Sequence, residues 1–180
     1  MMKRLVLVAL SLLLALSMAS VALAVPFTLE EAGVTIEVPD GMTGEDQSNE
    51  NAFALKITVD DNPALIYVYA LSYEEAFEGR WMEDLTTEEG EQMGQQLAAV
   101  LENPQFGQVT DYDYPLLLAS SGDGTQLHYI SVLNGWVCDV AAVKTDGVAL
   151  TEDEIKAAAE LLVSIQFMEE GAEEAEEAAE

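Results

Sequence analysis

The sequence is poor in the residue types that build most metal and disulfide sites, since its 180 residues include one cysteine, Cys138, and one histidine, His128. One cysteine cannot form an internal disulfide framework or a cysteine-rich zinc site. One histidine excludes a histidine-rich metal cluster and leaves little choice of general base. The chain also has no glycine-rich phosphate loop, P-loop or nucleophile elbow. We therefore assign no catalytic or cofactor-binding residue from the sequence.

Basic residues are also scarce: the chain has 6 Lys and Arg against 34 Asp and Glu, and a formal net charge of −28. A surface this anionic repels phosphate, so we expect neither nucleic acid nor anionic lipid headgroups as partners. Residues 25–167 alone contain 27 acidic and 4 basic side chains, which leaves −23 on the folded body. Such a domain can form very few salt bridges and must be held together by its core. Adaptation to salt and binding of a basic partner both favour this composition.

Residues 1–24 have the three-part pattern of a secretory signal peptide. Lys3 and Arg4 precede an apolar run, and an Ala-Leu-Ala cleavage signal ends at Ala24. We predict cleavage after Ala24 and a secreted or extracytoplasmic protein with no stable membrane insertion. The alternative is an uncleaved anchor, because the run from residue 5 to residue 25 is nearly long enough to span a bilayer. No cysteine stands directly after the run, which excludes a lipid anchor on an acylated thiol.

The chain ends in an acidic segment, residues 168–180, that is almost entirely alanine and glutamate. Its glutamates have no basic partner and repel one another at helical spacing, and it has no aliphatic stripe with which to dock. We predict a disordered tail. Residues 25–167 then remain as one domain, and a length of about 140 residues is enough to bury roughly two thirds of the unfolded surface.

Alternating apolar and polar residues predict strands in the first half of this domain. Residues 34–38 place three aliphatic side chains on one face. The polar stretch 42–51 is predicted to be a loop. Residues 52–59 and 64–71 flank the turn composition of residues 60–63. The second of these strands is apolar on both faces, which is typical of a strand covered on both sides within a sheet.

The strongest local signal is Asn134-Gly135, which readily adopts the positive φ angles of a two-residue type I′ turn. It predicts a hairpin between residues 126–133 and 136–143 whose register can be written down. One face, with Leu133 opposite Trp136, is apolar and predicted to be core. A further strand is predicted over residues 109–120.

This register separates the two rare side chains. Cys138 lies on the core face opposite Ser131, so we predict a buried thiol; the alternative is an exposed thiol that pairs between chains after export. His128 lies on the other, mixed face opposite Ala141. A nucleophile and a base on opposite sides of a sheet cannot meet, and no orienting acid or nucleophile motif is near the histidine. We predict a surface or interface histidine without a catalytic role.

Two helices are indicated by capping boxes that begin at Thr86 and Thr151. Residues 72–75 predict the cap of a short third helix that extends to Trp81. The first helix is predicted to end by Pro104 and to bury one apolar stripe. That stripe is Met93, Leu97, Val100 and Leu101. Together, the elements predict an α+β domain in which helices cover a largely antiparallel sheet.

The segment FTLEEAGVTIEVPDG at residues 27–41 resembles the amino-terminal motif of PsbP-like exported proteins. Residues 150–167, a capped helix followed by SIQF, look like the last helix and ending of the same family, although Met42 stands where that family usually has an aromatic residue. The resemblance implies an α/β/α sandwich. It also implies a mostly non-enzymatic binding or scaffolding module, and it carries over no catalytic residue.

Abundant carboxylates suggest two further functions. Asp60-Asp61-Asn62 and Asp111-Tyr112-Asp113 offer the oxygen ligands that calcium prefers, without EF-hand spacing, so low-affinity calcium or cation binding is one alternative. A secreted carboxylate-dependent hydrolase is the other, but the sequence nominates no pair of acids for it. The interpretation we favour is an exported bacterial module, not an enzyme and without a cofactor, that binds an extracytoplasmic macromolecule.

Overall fold

The computed structural model describes residues 25–30, 33–49 and 52–167. The predicted signal peptide and the predicted acidic tail lie outside these residues. The described strands are β1 (Val25–Leu29), β2 (Val34–Val38), β3 (Met42–Asp46), β4 (Phe53–Val59), β5 (Asn62–Tyr73), β6 (Gln105–Val109), β7 (Leu116–Ser120), β8 (Gln126–Leu133), β9 (Trp136–Lys144) and β10 (Gln166–Phe167). The described α-helices are α1 (Thr87–Ala98) and α2 (Glu152–Val163).

Seven of these strands form one antiparallel sheet in the order β3-β4-β5-β9-β8-β7-β6. A small antiparallel sheet has the order β1-β2-β10. The α+β class and the largely antiparallel sheet are therefore confirmed. The apolar strand predicted at residues 64–71 belongs to β5, which lies inside the large sheet as expected for a strand with two apolar faces.

The predicted hairpin register is confirmed in full. Leu133 pairs with Trp136, and His128 pairs with Ala141. Asn134 and Gly135 have φ angles of 51° and 88°, which is the left-handed conformation that a type I′ turn requires at both central positions. A single local signal thus sets the pairing of the two strands that lie beside each other in the middle of the sheet.

Two assignments made from the sequence were wrong along the sheet edges. Residues 42–51 are not all loop, because β3 pairs with β4 and places Glu45 opposite Lys56. β3 is acidic and has Gly44 at its centre, so it lacks the alternation of apolar residues that indicates a strand. Pairing with the backbone of β4 holds it in the sheet. Residues 109–120 are not one strand, because Pro115 cannot donate to a sheet ladder and a loop separates β6 from β7.

The third predicted helix was also wrong. β5 continues to Tyr73, and the next residues form two short 3₁₀ turns, Glu75–Phe77 and Met82–Asp84. Gly79, between these turns, has a φ angle of 70°, which is incompatible with a right-handed helix. Within the described residues, no helix is both long and apolar enough to cross a membrane.

One side of the large sheet, here called the closed face, is covered by α2 and by the small sheet. Its side chains are buried and almost all apolar: Leu55, Ile57, Tyr67, Tyr69, Leu71, Leu116, Leu133, Cys138 and Val140. Ala158 and Ala159 are buried on α2, and small side chains there let the helix lie close to the strands. The Tyr67 and Tyr69 hydroxyls donate to α2 carbonyls at 3.2 and 3.3 Å.

The other side, here called the groove face, is covered by α1. Met93, Leu97 and Leu101 are buried against Ala119, Ile130 and Val132 of the sheet. Val100 was wrongly predicted to belong to this stripe. Its side chain is 66% exposed, because α1 ends at Ala98 and helical spacing no longer applies beyond it. Each α-helix begins at its predicted capping box, with Thr86 and Thr151 as N-caps.

Candidate functional site

The structure brings His128 and Asp139 together on the groove face. His128 is buried, so the expectation of a surface histidine was wrong. β8 and β9 are neighbours in the middle of the large sheet, and side chains there have little access to water. His128 Nδ1 lies 3.0 Å from both carboxylate oxygens of Asp139. The expectation that no acid orients the histidine was therefore wrong as well.

The second ring nitrogen of His128 is also occupied. The side-chain amide nitrogen of Gln126 lies 3.0 Å from Nε2. An amide nitrogen donates and a carboxylate accepts, so the tautomer that fits both neighbours has its proton on Nδ1, donated to Asp139, and accepts at Nε2.

Asp139 could have been found in the predicted register. His128 pairs with Ala141, and Asp139 is two residues earlier on β9, on the same face and diagonal to the histidine. Diagonal neighbours on one face of an antiparallel pair are within reach of long side chains. The signal was present in the sequence, but it needed the faces of both strands to be compared.

This geometry does not assemble a nucleophile with a base. Both ring nitrogens of His128 are taken by Gln126 and Asp139. Within the part of the chain that the structure describes, no serine, threonine or cysteine side chain is hydrogen-bonded to the imidazole. Cys138 is on the closed face, where the sequence placed it.

The buried Cys138 is confirmed. Its side chain is fully inaccessible, and its Sγ lies 3.8 Å from the carbonyl oxygen of Trp136. Burial raises the pKa of the thiol to about 12, which keeps it protonated at neutral pH. A thiol without access to solvent cannot pair with another chain while the protein is folded, so Cys138 acts as a small apolar core residue.

Next to Asp139, a groove of about 410 Å³ runs between α1 and strands β5, β8 and β9. We call it the α1 groove. Its apolar floor includes Ala70, Ile130 and Val137 from the sheet, with Met93 and Leu97 from the helix. Cavities that bind small ligands or side chains have this size and this apolar character.

The rim of the α1 groove is polar. Glu89, Gln92 and Gln96 recur along one side of α1 at helical spacing, beside the buried Met93. Glu74 and Asp139 contribute two further carboxylates. None of the described residues that line the groove is basic.

Arg80 fixes the end of the rim by binding Glu89. Its guanidinium donates to both carboxylate oxygens of Glu89 at 2.8 Å, and it also donates to the Asp84 carbonyl at 2.9 Å. Hydrogen bonds from Arg80, and then from Thr86, lower the pKa of Glu89 to about 2. Arg80 thereby ties the two 3₁₀ turns to the first turn of α1, and its own charge is neutralised there.

Among the described residues, neither of the two acidic clusters singled out in the sequence belongs to a group of side chains that could hold a metal ion. Asn62 donates to Glu154 at 3.2 Å, and Asp60 accepts a hydrogen bond from the Thr43 hydroxyl at 3.3 Å. Across residues 25–30, 33–49 and 52–167, no three or more His, Cys, Asp and Glu side chains are grouped so that they could hold a metal ion. Calcium binding by these clusters remains a prediction from composition.

The sequence matches no protein-family model and no curated protein. The resemblance to PsbP-like proteins therefore stays a prediction. The two segments that carry it, residues 27–41 and 150–167, do meet in the fold, because β10 pairs with β2 in the small sheet. That contact shows that the two segments are close in space, and it does not identify a protein family.

Proposed function

We propose that this protein is an exported binding module, built as a PsbP-like sandwich, whose α1 groove holds part of an extracytoplasmic partner. The observation that supports the proposal is the groove of about 410 Å³ with an apolar floor and a polar rim. The floor offers apolar area to be buried, and the rim offers the few polar groups that orient a bound group.

Binding is better supported than hydrolysis. Arg80 and Thr86 hold the pKa of Glu89 near 2, so this carboxyl carries no proton to donate at neutral pH. A glycosidase needs a carboxylic acid whose pKa is raised, beside a second carboxylate. Asp139 is held by His128, whose second nitrogen is occupied by Gln126. The carboxylates of the groove therefore suit the recognition of a ligand and lack a paired acid and base.

Two alanines on the groove face allow a matched test. Ala70 lines the α1 groove, and Ala54 is its cross-strand partner outside the groove. We expect Ala70→Leu to fill the groove and to weaken binding of Nile red, a neutral apolar dye, by at least about tenfold. Ala54→Leu, with the same change in side chain, should bind the dye as the unaltered protein does. Equal fluorescence titrations for the two variants would remove the α1 groove as the binding site.

Export has its own test. Amino-terminal sequencing of the protein recovered outside the cytoplasm should read Val-Pro-Phe, beginning at Val25. Recovery of a chain that still begins at Met1 in the membrane fraction would favour the uncleaved anchor and would contradict this part of the proposal.

A further inference from the structure

We propose that the α1 groove takes a lysine side chain from a basic segment of a partner protein, with Asp139 as the carboxylate that receives the ammonium group. This inference rests on the proposed function and specifies the chemistry of the occupant. It is carried by the charges around the groove, by the position of Asp139, and by the apolar floor.

The charges that line the groove have one sign. Glu74, Glu89 and Asp139 are its ionisable residues, and Arg80, which binds Glu89, is committed by two hydrogen bonds of 2.8 Å. The body around them has 27 acidic side chains against 4 basic ones. A cationic segment is attracted by this field, whereas an anionic one is repelled by both the body and the groove.

Asp139 is the carboxylate placed to receive a cation. On β9, Asp139 pairs with Ile130 of β8, and Val137 is the preceding residue of β9 on the same face. Ile130 and Val137 both belong to the apolar floor. The Asp139 side chain is 27% exposed, so it keeps access from the groove. His128 donates one proton to it, and a carboxylate has lone pairs for further donors. Charges attract more strongly beside apolar surface than in open water.

The floor suits the stem of a lysine. A lysine side chain buries its methylene groups along apolar surface while its ammonium group remains at a polar edge. Met93 and Leu97 of α1 and Ile130 of β8 supply such a surface, and Asp139 stands at its side. An arginine side chain has the same plan, an apolar stem that ends in one positive charge. The groove requires only a single charge at the end of such a stem, and a lysine supplies it.

The test uses three peptides of the form acetyl-Ser-Ala-X-Ala-Ser-amide, where X is lysine, norleucine or glutamate, titrated by calorimetry and by NMR. We expect lysine to bind more tightly than norleucine, and glutamate least. Asp139→Asn should reduce the preference for lysine over norleucine about tenfold, as expected for the loss of a charge-assisted hydrogen bond. Asp61→Asn, which makes the same change in net charge in the β4–β5 turn, should leave that preference intact.

The outcomes separate the two proposals. If lysine and norleucine peptides bind equally and Ala70→Leu blocks both, the groove remains a binding site and the lysine proposal is wrong. If no peptide shifts the amide signals of Ile130 or Val137, and Nile red binds Ala70→Leu unchanged, the proposed function itself fails. If Asp139→Asn and Asp61→Asn changed the preference for lysine equally, Asp139 would act only through the net charge of the protein, and its assignment as the ammonium-binding carboxylate would be wrong. Melting curves of both variants establish that they are folded.

Discussion

The closed face and the groove face of the large sheet differ in how their helices are fitted to them. α2 lies on the closed face with Ala158 and Ala159 buried, and apolar side chains fill the space beneath it. α1 presents Gln92 and Gln96 beside its apolar stripe, and the α1 groove is open at that side. A face filled with side chains contributes stability, whereas a face left partly open gives up some of that stability and leaves the groove in which we propose binding.

The ion pairs at the amino-terminal ends of the two α-helices also differ between the closed face and the groove face. Each capping-box glutamate also binds a basic residue: Glu154 binds Lys144 at 2.9 Å, and Glu89 binds Arg80 at 2.8 Å. The pair under α2 is nearly buried, with side chains 9% and 14% exposed, while the pair at α1 is more than a quarter exposed. Two of the four basic residues in the body thus hold the amino-terminal ends of the two helices.

The largest expected difference between the faces concerns core truncation. Leu162→Ala removes a fully buried side chain of α2, and we expect it to lower the free energy of unfolding by about 3–5 kcal/mol. Leu97→Ala, at the α1 groove, should cost about 2 kcal/mol, because its surroundings can relax into the open space. Urea denaturation measures both. Equal losses would mean that the two helices are packed equally well.

The second difference concerns the ion pairs. Lys144→Met leaves the nearly buried Glu154 without its basic partner, and we expect a loss of about 2–3 kcal/mol in the free energy of unfolding. Lys156→Met is the matched control, because its pair with Glu160 is exposed and should contribute at most about 0.5 kcal/mol. Similar denaturation midpoints for the two variants would contradict an anchoring role for Lys144.

A smaller effect is expected at His128. His128→Leu removes the donor to Asp139 and leaves that carboxylate without its buried partner, at a cost of about 1–2 kcal/mol. His128→Gln keeps an amide that can donate, so it should lose less. Chemical denaturation at neutral pH distinguishes the two. If the His128→Leu variant were as stable as the unaltered protein, the hydrogen bond from His128 to Asp139 would contribute nothing to the free energy of unfolding.

The smallest expected effect is the pH dependence of the stability that Glu89 contributes. The pKa of Glu89 is lowered from 4.5 to about 2 in the folded state, so its stabilising contribution is present above pH 4.5 and is lost as the pH falls towards 2. The stability difference between the unaltered protein and Glu89→Gln should therefore shrink over this interval. Glu88→Gln, in the same helical turn, controls for the helix dipole. A difference that stays constant with pH would contradict the Arg80 contact.

Local chemistry explains which elements could be predicted. The Asn134-Gly135 turn and the two capping boxes each depend on residues a few positions apart, and each is found where it was expected. β3 was missed because an edge strand owes its pairing to a neighbour more than to its own alternation. The break before β7 was itself a local signal, since Pro115 cannot donate to a sheet ladder, and it was overlooked. The Asp139 contact was implicit in the register and needed only a comparison of faces.

The sequence by itself determined the strand pairing of the central hairpin, the starts of both helices, the burial of Cys138 and the sign of the charge. Each of these follows from backbone preferences, alternation or composition, which act over short distances along the chain. The tertiary structure alone decided that His128 is buried and that an open groove lies beneath α1. The groove depends on how far α1 stands from the sheet, and it is lined by side chains from β5, β8, β9 and α1, which are remote from one another in the sequence.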